Sequence, residues 1–178
     1  MRIVFVCHST SVDNELGLAS GHYDVPLSET GEQQALELKA HFALETFDAV
    51  FSSDLQRAVR TAQIVFGERG MPLLRDSRLR ECDYGDLTRH PVPEVDAERL
   101  EHVTEPFPHG ESYLQATERV RKFLQDAQHS YADKSMVIVG HRATQFGLEY
   151  WINHIPLSDS MQTPFVWQPG WTYYLEHL

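Results

Sequence analysis

Cysteine is scarce in this sequence: Cys7 and Cys82 are the only two in 178 residues. That excludes a disulfide framework, and no CxxC or Cys/His spacing points to a metal site, so neither a metal nor another cofactor is expected. Long apolar runs are missing as well, and none reaches the length needed to span a bilayer. Ile3 to Cys7 is too short for a secretory h-region, so a reducing cytoplasm is the expected compartment. Positive charge is in deficit, with 15 Lys and Arg against 26 Asp and Glu, a formal net charge of -11. Such a surface repels phosphate backbones and anionic headgroups, so neither nucleic acid nor a membrane is expected as a partner. Internal repeats, low-complexity runs and Gly/Ser linkers are also lacking. With 42% apolar residues, residues 1–178 read as one globular domain.

What is present alternates between strand and helix signals. Ile3 to Cys7 is apolar and rich in β-branched residues, as a strand buried on both faces would be. Residues 8–27 carry polar, Gly and Pro signals without a period and read as a long loop. Ser28 to Gly31 opens a helix running to about residue 44. Asp48 to Phe51 reads as a second strand, with Ser53 as the N-cap of a helix that ends at Gly67. Leu73 and Leu74 suggest a short third strand. Residues 76–111 hold Pro91, Pro93, Pro106 and Pro108 and read mostly as loop, with a short helix near 94–102. Ser112 caps a long helix with Tyr113, Ala116, Val120, Phe123 and Ala127 on one face. Met136 to Val139 is another buried strand, followed by a helix over about 142–153, and Thr172 to Leu175 suggest an edge strand. This alternation predicts an α/β fold, a three-layer α/β/α sandwich around a mostly parallel sheet.

In such sheets ligands sit at the carboxyl ends of the strands. That rule brings Cys7-His8, Ser52-Ser53 and Gly140-His141 to one rim. Two histidines, together with Arg57 in the first turn of a helix whose amide ends point the same way, suit a bound anion. Phosphoryl transfer needs an in-line nucleophile, positive groups for the equatorial oxygens and an acid for the leaving group. A neutral imidazole serves as nucleophile by forming a phosphohistidine that water later hydrolyses. His8 is placed for that role, and Glu81 lies in a charged loop able to bend over the site. A cysteine-phosphatase reading fails, because its C-x5-R pattern would need a cation where Asp13 stands.

At these residues the chain resembles the histidine phosphatase superfamily, the phosphoglycerate-mutase-like proteins. The resemblance runs in order through Phe5-Val6-Cys7-His8, Ser20-Gly21-His22-Tyr23-Asp24-Val25-Pro26-Leu27, Ser52-Ser53-Asp54-Leu55-Gln56-Arg57-Ala58 and Leu79-Arg80-Glu81 with Tyr84-Gly85. It continues through Pro108-His109-Gly110-Glu111-Ser112 and Val137-Ile138-Val139-Gly140-His141, and so spans most of the chain. It implies the same α/β/α sandwich and a small phosphorylated substrate. It also implies His8 as phosphate acceptor, His141 and Arg57 as ligands of the transferring oxygens, and Glu81 as proton donor. Asn14, Ser20, Gly21 and Tyr84 match substrate-side positions. With only Arg89 and Arg99 as cations between Glu81 and Ser112, hydrolysis is favoured over a phosphoglycerate-mutase-type transfer.

The chain departs from the family pattern at two positions. Cys7 stands where the pattern has Arg, and Ser9 where it has Gly. Loss of a charge-assisted donor weakens a phosphate site. Arg142 is the first candidate to replace the charge, with His22 and His109 after it. A weakened or inactive phospho-ligand binder is therefore the alternative function. The aromatic C-terminal region (Trp151, Phe165, Trp167, Trp171, Tyr173, Tyr174) reads as core and rim packing, with a homodimer surface as the alternative.

Overall fold

A computed structural model describes residues 1–178. Five strands form one sheet in the order β3-β2-β4-β1-β5: β1 (Arg2–Cys7), β2 (Ala49–Ser52), β3 (Leu73–Arg75), β4 (Ser135–Gly140) and β5 (Trp171–Tyr174). The pairs β1–β4, β2–β4 and β2–β3 are parallel, and β5 runs antiparallel along β1 at the edge. The central strands are apolar on both faces because both faces are covered. Ile3 and Phe5 of β1 join Met136 and Ile138 of β4 in one cluster, and Val4 and Val6 join Val137 and Val139 in the other.

Helices α2 (Glu29–His41) and α3 (Gln56–Phe66) cover the valine face through Ala35, Leu38, Ala58, Ala62 and Val65. Helices α5 (Tyr113–Tyr131) and α6 (Arg142–Ile152) cover the other through Val120, Phe123, Leu124 and Leu148. The expected three-layer α/β/α sandwich is therefore the architecture. A third cluster, with Tyr84, Phe107, Tyr113 and Phe146, is formed largely by the 82–116 segment and α6. No helix is long and apolar enough to cross a membrane.

Local details differ from the sequence reading. Ser53 does not cap α3. Its hydroxyl accepts the Leu55 N–H at 3.3 Å in a tight bend, and the N-cap residue is Leu55. The Gln56 N–H is instead satisfied by Asp24 Oδ1 at 2.7 Å, which ties the long loop to the helix start. Inside that loop lies α1 (Val12–Glu15), closed by a reciprocal Ser11–Asn14 capping box and too short to show a period. The helix expected near 94–102 is α4 (Val92–Glu98), shifted toward the N-terminus because Pro93 suits a first helical turn. Helix α7 (Leu157–Gln162) had no sequence signal of its own.

Candidate active site

Register places the functional rim. Cys7 pairs with Gly140 and Ser52 with Val139, so His8 and His141 leave neighbouring parallel strands side by side. Glycine is required at 140, since a Cβ there would meet the Thr144 hydroxyl at 2.6 Å. That hydroxyl accepts the His141 N–H at 3.0 Å and fixes the turn into α6.

The two imidazoles lie 4.9 Å apart between centroids, tilted by 58°. His8 Nδ1 is 2.7 Å from the Ser9 carbonyl oxygen. A carbonyl only accepts, so Nδ1 carries the proton and Nε2 presents its lone pair. Burial, with the Arg57 charge second, lowers the His8 pKa from 6.5 to about 3. The same two causes hold His141 well below its ordinary value. His141 is 0% exposed, and neither of its ring nitrogens has a partner.

Arg57 is also buried, at 2% exposure, and donates to the carbonyl oxygens of Gly21 (2.8 Å) and Tyr23 (3.0 Å). The long loop thus folds over the guanidinium. Gly21 has φ +52°, which glycine adopts freely, and a side chain there would press on Tyr84 and the Cys82 carbonyl at 3.1–3.2 Å. Glu81 reaches the start of α6. Its Oε1 accepts from the N–H groups of Cys82 (2.8 Å) and Ala143 (3.0 Å), and its Oε2 from Arg142 N–H (3.2 Å). The carboxylate is therefore held beside His141 at a helix N-terminus.

A cleft of about 810 Å³ opens over this rim, with Cys7, His8, Asn14, Glu81 and Arg142 among its lining residues. Burial, reinforced by Glu81, pushes the Cys7 thiol up to about 12, so it is protonated at neutral pH. Of the expected substrate-side residues, Asn14 and Arg142 face the cleft. Ser20, Gly21 and Tyr84 do not. The Ser20 hydroxyl donates to Asp13 Oδ2, which Arg89 also binds, and Tyr84 packs against Phe107 and Tyr113. These three stand behind the site and shape the loop that holds Arg57. His109 lies elsewhere, 85% exposed beside Asp86, and His22 donates to the Glu81 carbonyl at 2.8 Å.

Sequence reasoning missed the outer wall: Arg99, Met161, Phe165 and Trp167. The packing reading holds for Trp151, Trp171 and Tyr173, but Phe165 and Trp167 are 46% and 53% exposed at the cleft. Arg99 was visible as one of the few cations in its segment, and this is the one signal that could have marked it.

The neutral histidines at the rim make stability depend on pH. The folded-state value of His8 lies below its unfolded one, so the unfolded chain takes up a proton that the folded chain refuses. Stability is full above about pH 6.5 and is lost as pH falls toward about 3. Each such ring contributes a slope of up to about 1.4 kcal/mol per pH unit in that window. Urea unfolding at a series of pH values checks this, and His8→Ala should flatten the slope. An unchanged slope would show that His8 titrates normally.

A sheet rim with paired imidazoles, a buried guanidinium and a carboxylate at a helix start is an arrangement suited to a bound oxyanion. The chain belongs to the histidine phosphatase superfamily (branch 1), whose sequence pattern matches residues 3–166. It is 30% identical over 149 residues to phosphoserine phosphatase 1 of Hydrogenobacter thermophilus, covering 79% of this chain and 71% of that one. It is 29% identical over 150 residues to the adenosylcobalamin/alpha-ribazole phosphatase of Escherichia coli, covering 80% and 74%. Among solved structures, a mycobacterial glucosyl-3-phosphoglycerate phosphatase in complex with VO3 superposes with a TM-score of 0.78 at 27% identity, covering 90% of this chain and 85% of that one.

Proposed function

We propose that this protein is a metal-independent phosphomonoesterase that acts on a small phosphorylated metabolite through a phosphohistidine at His8. The observation that carries this reading is the His8–His141 pair, 4.9 Å apart, with His8 Nδ1 bonded to a carbonyl so that Nε2 is free to attack. Nε2 forms a bond to phosphorus as the P–O bond to the leaving alcohol breaks. Glu81 gives that oxygen its proton, then takes one from the water that hydrolyses the phosphohistidine. His141 and Arg57 hold the equatorial oxygens. The same reading takes residues 1–178 as one domain. The substrates for which the relatives are named support it, since phosphoserine, alpha-ribazole phosphate and glucosyl-3-phosphoglycerate are phosphate esters of small metabolites.

The test is phosphate release from p-nitrophenyl phosphate with EDTA present. Turnover should be unchanged by the chelator. Loss of turnover on chelation, restored by a divalent cation, would overturn the reading.

A further inference from the structure

Asp13 is the only buried carboxylate of the protein, at 1% exposure. It stands one residue before Asn14, which lines the cleft, and it has no part in the chemistry above. A buried carboxylate behind an anion site opposes the anion unless a cation neutralises it. Arg89 is that cation. Its Nη2 donates to Asp13 Oδ1 at 3.1 Å and its Nε to Oδ2 at 3.2 Å, a two-armed grip that fixes orientation as well as charge. Oδ2 also accepts the Ser20 hydroxyl at 3.2 Å.

The same guanidinium lies over the Tyr23 ring, 4.5 Å from its centroid. Arg89 therefore touches both ends of the turn 13–23, whose Gly21 and Tyr23 carbonyls hold Arg57. Backbone bonds dock this turn onto the residues around Arg89. The Ala19 carbonyl accepts the Arg89 N–H at 2.7 Å, and the Gly17 carbonyl accepts the Val92 N–H at 2.9 Å. Arg89 has φ +64°, a conformation that glycine adopts at less cost. What arginine adds at this position is its side chain. We propose that the Asp13–Arg89 pair is a positioning device: it holds the Gly21 and Tyr23 carbonyls, and through them the Arg57 guanidinium, where the phosphoryl oxygens arrive. This deepens the phosphatase reading above, whose Arg57 it serves.

The test measures orthovanadate binding by calorimetry and kcat/KM for p-nitrophenyl phosphate, both well below Tm. Arg89→Gln should weaken binding and lower kcat/KM, each by about ten- to hundredfold, as expected when a contact with the reacting group is misplaced. Arg89→Lys keeps the charge without the fork and should recover part of both. In an Arg57→Lys background the further loss from Arg89→Gln should shrink to less than about threefold, because the pair acts through Arg57. If Arg89→Gln does not fold, Asp13→Asn/Arg89→Gln, which leaves no buried charge unpaired, is measured in its place and should show the same losses. A variant with lowered Tm but unchanged binding and kcat/KM would make the pair merely structural and overturn the proposal. Losses that multiply fully with Arg57→Lys would overturn it too. Arg89-dependent vanadate binding by a wild-type protein without turnover would overturn the phosphatase reading and leave the positioning role standing.

Discussion

His8→Ala is expected to lower kcat for p-nitrophenyl phosphate by about four to six decades, the range seen when a covalent nucleophile is removed from a working site. The expectation follows from the tautomer. The Ser9 carbonyl fixes the proton on Nδ1, so no reorientation is needed before Nε2 attacks. Burial keeps the ring neutral, so the nucleophile is present at every pH in the working range. The neighbouring Cys7 thiol cannot take over, because it stays protonated. Arg57 and His141 remain in the variant, so inhibition by orthovanadate, which reports on oxygen binding, should change far less than kcat. Steady-state rates at high enzyme concentration measure the first quantity and competitive inhibition the second. Activity of His8→Ala within about tenfold of wild type would remove His8 from the chemistry.

Cys7→Arg is expected to raise kcat/KM by about one to two decades. Charge develops on three oxygens of the transferring group, yet Arg57 is the one guanidinium whose charge bears on both His8 and His141. Two of its N–H groups already bond to the Gly21 and Tyr23 carbonyls. The Arg142 charge is felt at Cys7, but its guanidinium is fixed by Gln145 and Thr163. Cys7 lines the open cleft, so a longer side chain has room to reach the phosphoryl position beside Glu81. Kinetics on the variant check this. No gain, together with loss of phosphate binding in Arg142→Ala, would show instead that Arg142 already provides the charge.

The central layers were legible because their signals are local. A strand buried on both faces must be apolar where it is covered, and residues 3–7 of β1 and 136–140 of β4 are. Ser112 caps its helix as read, and Ser28 caps the helix read as opening over Ser28 to Gly31, each accepting a backbone N–H three residues on. From those strands, the rule that ligands gather at carboxyl ends brought His8, His141 and the start of α3 together. Orientation was not legible. Ser20 and Tyr84 lie close in sequence to site residues, yet their side chains turn to Asp13 and to an aromatic cluster. A chain position alone does not tell which way a loop residue points. The outer wall was hidden for a related reason. Arg99 sits where it does because the 82–116 segment packs against α6 and α7, and Phe165 is drawn to the cleft by Arg142 and Trp171. Those contacts are long-range and leave no period in the sequence.

The covalent step is open to direct observation. Enzyme mixed briefly with p-nitrophenyl phosphate, quenched in alkali where phosphohistidine survives, and digested for mass spectrometry should carry one phosphoryl group on the peptide containing His8. The label should decay as substrate is exhausted and be absent from His8→Ala. A label on any other residue, or steady turnover with no labelled peptide at any quench time, would contradict the account.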